Sequence, residues 1–585
     1  MNPLPNDRIP EPKNKRHIVD DISLPNTPVA THLNNNEEID YQAMGQPAGI
    51  ASFTKGLKHN NKGEVTIPAD FNNSFLNAIQ NSLSDVPNYG MSLSFFESIP
   101  VGITDPTKKR RRWVNPVCGL SYDSEGLDCF NRTILPAPII NSLNGSAEMA
   151  ELYWMALLRD LNFTDYDEED IAQEAVDDLK DHFGSYNFIT SWTRDPSTIP
   201  LSVKTLFRGT NVGDNVGPYI SQFMLRGNKD EAIRRNENEG YVKYGTTSID
   251  QRHVVAKKGL DFMTDNNTWV EIQDGLDTNV DRLEDDDNKY FDNTRRFIRN
   301  LRDLATFVHF DVLYQAYMTA CLYMISAGFR VSNLNPYSKP DIEKQEGFGN
   351  FGGPHLVSLI PEVSTRALKA QWLEKWFVHR RLRPEAFGGL IHHHKKGNAI
   401  YPIHHSILNS PVLEKIFDIN KETNKKLKSS NPDKGKGTYF LPQAFPEGSP
   451  MHPSYGAGHA TVAGHATVAG ACVTVLKAWF EDGPMPGRIL EANHDGTGLK
   501  EYKGNDKGQI MIHGELNKLA ANVAIGRNAA GVHYRSDYTS SLMLGEEVAI
   551  SILKELKTYL PEPQKDPTQP IFRFKRFFTN TVESI

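Results

Sequence analysis

RFIRNLRDLATFVHFDVLYQAYMTACLYMIS (residues 296–326) is apolar over most of a helical circumference. That pattern predicts a long buried central helix rather than a surface one. Working outward, helices are expected over 363–382, 464–481, 513–526 and 536–559. Several buried helices in one region predict a mainly α fold, a helical bundle. Upstream, DEEDIAQEAVDDLKDHF (167–183) carries apolar residues at helical spacing, and strand-like alternation is scarce. The chain then divides into four parts. Residues 1–45, rich in Asn, Pro and charge, read as an extended arm, disordered alone or laid over a neighbouring subunit. Residues 46–290 form a mixed, mostly helical N-terminal region, 291–560 the helical-bundle catalytic region, and 561–585 a C-terminal tail.

The formal net charge of -8 over 585 residues argues against nucleic acid as a partner but leaves room for a local basic pocket. Four cysteines are too few for a disulfide scaffold. Cys118 and Cys129 are open to pairing in an oxidising compartment or to remaining free thiols. The N-terminus lacks a signal-like apolar core, and no apolar run reaches roughly 18 residues. The expectation is a soluble, cytoplasmic protein with no membrane span. KKRRRW (108–113) reads as a solvated or interface basic cluster. His392, His393 and His394 are adjacent and point in different directions, which favours a polar loop over a metal site.

Three clusters carry the chemistry. In KWFVHRRLRPE (375–385), Pro384 biases Arg383 out of the preceding helix, so Arg383 can turn toward Lys375. In HPSYGAGHA (452–460), a tight turn precedes an apolar helical run, and free amides at a helix start bind anions. Gly458 lets backbone approach a ligand there, and His459 is placed for acid–base work. In GRNAAGVHYRSD (526–537), His533 and Asp537 are four apart and would share a helix face. A carboxylate on one imidazole nitrogen fixes the tautomer and leaves the other as ligand or nucleophile. Arg527 adds a planar fork for oxyanion contacts. Taken together the inventory suits a tetrahedral oxyanion.

These segments resemble the motifs of the vanadium haloperoxidase and type-2 acid phosphatase superfamily. KWFVHRRLRPEAFGG, HPSYGAGHATVAG and GVHYRSD are similar to the bromoperoxidases of red algae and cyanobacteria, and NVGPYISQF (215–223) and FGGPHLVSL (351–359) extend the likeness upstream. Seven residues between Lys375 and Arg383, rather than the six usual in the phosphatases, point the same way. The resemblance implies a vanadate cofactor with His533 as its metal ligand, and Lys375, Arg383, Arg527 and the Gly458 amide around its oxygens, with Asp537 behind. It implies that His459 moves protons and that His452 sits near the halide. Vanadium(V) would act as a Lewis acid on hydrogen peroxide, and halide, bromide above all, would be oxidised to hypohalous acid that halogenates an organic acceptor. A homo-oligomer, commonly a dodecamer, and structural calcium at a site no pattern locates are further family traits. The alternatives are a phosphatase using His533 as nucleophile, or a non-catalytic oxyanion-binding protein.

Two features depart from the family pattern. Ala457 stands where many relatives have serine, removing a hydroxyl whose hydrogen bond contributes about 1 kcal/mol. GHATVA occurs twice in tandem, at 458–463 and 464–469, so either His459 or His465 can supply the motif histidine. The seven-residue spacing to His452 favours His459.

Overall fold

The computed structural model describes residues 30–72, 101–123, 125–183, 200–232, 234–278, 290–338, 342, 344–457, 466–562 and 568–585. The longer helices are α1 (Leu143–Leu157), α2 (Asp170–Asp181), α3 (Leu301–Phe310), α4 (Gln315–Ser326), α5 (Gly353–Leu373), α6 (Pro384–Lys395), α7 (Val412–Asn424), α8 (Ala466–Trp479), α9 (Ile512–Ala529) and α10 (Arg535–Tyr559). A π-helical turn, Glu374–His379, continues α5. Shorter α-helices, 3-10 turns and three two-stranded antiparallel hairpins complete the regular structure of the described residues. The mainly α expectation holds.

The single long helix expected over 296–326 is two. Chain direction changes between α3 and α4, where Asp311 caps α3 in an extended conformation (φ -65°, ψ 153°). An uninterrupted apolar pattern does not register that break, because both pieces are buried against the same core. Helix α5 starts ten residues before its expected start at 363. It runs through Pro361 because the buried face of Leu356, Leu359, Ile360, Val363 and Ala367 continues across the proline. The absent proline N–H costs one helical bond, and packing on both sides outweighs it.

A second correction concerns His392–His394. They end helix α6 rather than forming a polar loop, and His392 and His393 are buried. Each imidazole is tied separately: His392 to the Tyr439 amide, His393 to the Asn398 side chain, His394 to the Tyr401 amide. The described end of the N-terminal arm packs on the chain's own body, with His32 bound to Glu374 and to the Phe130 carbonyl. Lys108, Lys109 and Arg110 are exposed, while Arg111 and Trp113 turn inward onto backbone carbonyls. All four cysteines are free thiols.

One core runs from Tyr41 to Ile585, and the site-bearing helices lie inside it. Helix α8 lies along α10, with α5 against both and α9 beside them. Glycines set the α8–α10 separation. A Cβ at Gly470 would meet the Leu542 carbonyl oxygen at 2.2 Å, and one at Gly545 the Thr467 carbonyl oxygen at 1.9 Å. Backbone cannot yield there as a side chain could. Gly470→Val is therefore expected to lower the unfolding free energy by about 3 kcal/mol or more. A denaturant midpoint unchanged from wild type would contradict this close crossing.

Candidate active site

Lys375 and Arg383 reach one place from opposite ends of a short connection. The π-helical turn carries Lys375, and its wider hydrogen-bond spacing takes up one more residue per turn than an α-helix. This gives the seven-residue spacing a structural home. Arg380 closes the turn in the left-handed region (φ 44°), after which the chain is extended through Arg383 (φ -81°, ψ 154°). Pro384 then takes the first position of α6, where its missing N–H costs nothing. Arg383 is thus out of the helix, as Pro384 predicted.

The other residues come from the ends of α9 and α10 and from the loop before α8. Arg527 lies in the last turn of α9, and Gly531 (φ 84°) reverses the chain. His533 precedes α10, and Asp537 is its third residue, accepting from the Tyr534 amide at 3.2 Å. The expected shared helix face is therefore corrected: the pair meets across a helix start, with Asp537 capping it.

All of these groups are buried. The Lys375 ammonium donates to the carbonyls of Pro453 (2.9 Å), Ser454 (2.8 Å) and Gly456. Arg383 donates to the carbonyls of His452 and Val532, both at 2.8 Å, and to the His452 ring at 2.9 Å. Its Nη1 also lies 3.0 Å from His533 Nε2. A guanidinium only donates, so Nε2 must accept with its lone pair. Nδ1 then carries the proton and gives it to Asp537 Oδ2 at 2.7 Å. Partner chemistry alone fixes the tautomer.

Charge sets the protonation state. Burial first, then Arg383, Lys375, Arg527 and Arg381, hold the His533 pKa well below its ordinary value. This favours the neutral ring, whose contact with Asp537 is a hydrogen bond rather than an ion pair. Burial and Arg383 likewise press the Lys375 ammonium well down, against Asp537. Burial brings Arg383 down to about 9 and Arg527 to about 10, with Asp537 and Asp311 respectively opposing. Arg527 donates to the Val308 carbonyl at 3.2 Å, and its buried Nε has no partner among the described residues. The site holds more positive charge than its own carboxylates balance, and it would take an anion.

His452 belongs to the same cluster, with its ring 4.9 Å from that of Trp372 at the end of α5. The described residues therefore join Lys375, Arg383, His452, Arg527, His533 and Asp537. Gly458, His459 and His465 lie outside the described residues. Sequence reading missed Arg381, which donates to Asp537 Oδ1 at 3.2 Å, and Ser454, whose hydroxyl donates to Asp537 Oδ2 at 2.5 Å. Both stand inside quoted motifs, but no spacing rule marks them.

No family model matches the chain. A vanadium-dependent bromoperoxidase of Corallina pilulifera is 38% identical over 569 residues, spanning 91% of this chain and 92% of the relative. The chain belongs to the vanadium-dependent bromoperoxidase family. The bromoperoxidase of Corallina officinalis is also 38% identical, over 90% of this chain and 91% of its own. That of Ascophyllum nodosum is 33% identical, over 95% and 90%. The solved homohexameric structure of a second Ascophyllum nodosum vanadate-dependent bromoperoxidase superposes with a TM-score of 0.78 at 29% identity, covering 95% of this chain and 86% of that one. The bromoperoxidase fold thus extends through the N-terminal region as well as the bundle.

If Asp537 sets the tautomer, Asp537→Asn should weaken inorganic vanadate binding by about 10- to 100-fold. Equilibrium dialysis with vanadium quantified by mass spectrometry measures this, and unchanged binding would contradict the assignment.

Proposed function

We propose that this protein is a vanadium-dependent haloperoxidase that oxidises halide, bromide foremost, with hydrogen peroxide. The observation that carries the reading is the His533 Nε2 lone pair, directed into a cluster of buried cations by the Asp537 bond. The donor set fits vanadate. Three cations pressed down chiefly by burial, with an Arg527 Nε that has no partner among the described residues, match an oxyanion with several negative oxygens. Among the described residues no group of three His, Cys, Asp or Glu could hold a bare metal ion. An oxyanion needs only one such ligand when cations take its oxygens.

His533 would be the metal ligand, and Lys375, Arg383, Arg527 and the Gly458 amide would hold the oxygens. Bound vanadium(V) supplies a Lewis acid that activates peroxide without changing its own oxidation state. Lys375 adds positive charge on the oxygen side, and His459, or His465 in the second repeat copy, would move protons. His452, held between Arg383 and the Trp372 ring, would face the halide. The organic acceptor takes up the product. In this scheme residues 291–560 carry the chemistry and 46–290 pack around it. The homohexameric relative supports a homo-oligomer here, with the dodecamer as the larger alternative.

The test reconstitutes the protein with orthovanadate. It measures peroxide-dependent bromination of a phenolic dye beside hydrolysis of a phosphate ester. Bromination should rise with vanadate and be suppressed by inorganic phosphate; ester hydrolysis without bromination would favour the phosphatase alternative instead. Replacing His459 and His465 separately by Ala should cost more turnover at His459. The reverse order would assign the live histidine to the second copy.

A further inference from the structure

Arg381 lies two residues before Arg383, and the functional reading has no use for it. Both of its terminal nitrogens are nonetheless engaged, while its buried Nε has no partner among the described residues. Its Nη1 donates to Asp537 Oδ1 at 3.2 Å and to the Ser536 hydroxyl at 2.9 Å. Its Nη2 donates to Glu148 Oε2 of α1 at 2.8 Å, and the guanidinium lies 3.8 Å over the Tyr534 ring. Glu148 in turn accepts from the Ser536 amide through Oε1 at 2.5 Å. Arg381 therefore locks the first turn of α10 to α1.

The consequence falls on Asp537. One of its oxygens takes the His533 Nδ1 proton together with the Ser454 hydroxyl and Tyr534 amide, and the other takes Arg381. The carboxylate cannot turn about its axis without breaking contacts at both oxygens. We propose that Arg381 is a positioning residue for the reaction: held by Glu148, it fixes the Asp537 carboxylate so that His533 keeps its proton on Nδ1 and its lone pair on Nε2. The inference deepens the vanadate reading and rests on it for the binding measurement alone.

Charge supports the geometry. The groups facing His533 are Arg383, Lys375, Arg527, Arg381 and Asp537, and four of these five are cations. Arg381 itself faces Glu148, Asp537 and Tyr534, with Tyr455 and Glu37 further out. Burial of Arg381 is outweighed by Glu148 and Asp537, so it stays charged. Removing it takes this donor away from Asp537 Oδ1 and frees the carboxylate to turn away from Nδ1. The His533 proton then has no fixed acceptor and can sit on Nε2 instead, which removes the lone pair directed into the cluster.

The experiment compares wild type, Arg381→Gln and Arg381→Lys at pH 8. Vanadate binding is measured by equilibrium dialysis and the His533 ring nitrogens by solid-state 15N NMR on vanadate-free, histidine-labelled full-length protein. Arg381→Gln should bind vanadate about tenfold or more weakly. Its His533 signals should show the Nε2-protonated tautomer, while wild type stays Nδ1-protonated. Arg381→Lys, which keeps the charge but lacks the fork, should fall between the two. Weaker binding with an unchanged His533 tautomer would reduce Arg381 to a structural tie and overturn the proposal, as would unchanged binding. If Arg381→Gln does not fold, Arg381→Lys decides by the same criteria. Wild type that binds no vanadate would overturn the functional reading, and the nitrogen signals would still decide the role of Arg381.

Discussion

Lys375, Arg383 and Arg527 are buried together, and burying a charge costs several kcal/mol unless the surroundings answer it. Much of the local structure is that answer. The Lys375 ammonium is met by three carbonyls of the 453–456 loop, and Arg383 by the carbonyls of His452 and Val532. The same bonds tie three segments distant in sequence into one wall. The cations thus hold the loops in place, and the loops keep the cations inside. What the backbone carbonyls do not neutralise is net charge, which is why an anionic ligand suits the place.

The histidine depends on this arrangement in two ways. Burial and then positive charge favour the neutral His533 ring, and Arg383 points its Nε2 lone pair toward the cluster. Asp537 performs the complementary task at Nδ1 while capping α10, so one carboxylate serves both fold and chemistry. A capping carboxylate also interacts favourably with the helix N-terminus. The tight α8–α10 crossing at Gly470 and Gly545 places the helices around this point with little freedom to shift.

Much of this was legible in the sequence, for identifiable reasons. Apolar periodicity showed the helices because a buried helix must be apolar over most of its surface. It could not show the break at Asp311, since both flanking helices are buried in one core. Pro384 gave the exit of Arg383 because the constraint is local and steric. Four-residue spacing suggested the His533–Asp537 pair but mistook its setting, since a helix start also brings such residues together. Arg381 and Ser454 were not legible. Their importance comes from contacts to α1 and α10, and nothing local distinguishes Arg381 from its neighbour Arg380. The placement of His392–His394 failed because three adjacent polar residues suggested a loop, whereas each ring, at the end of α6, finds its own partner.

The central claim is that the neutral His533 ring, held by Asp537 within the cation cluster, is the protein's ligand to vanadium. X-ray absorption at the vanadium edge of vanadate-loaded protein addresses this most directly. The account predicts one imidazole nitrogen among the nearest neighbours of vanadium in wild type, lost in His533→Ala. An all-oxygen environment in wild type, or a nitrogen that persists in the variant, would contradict it.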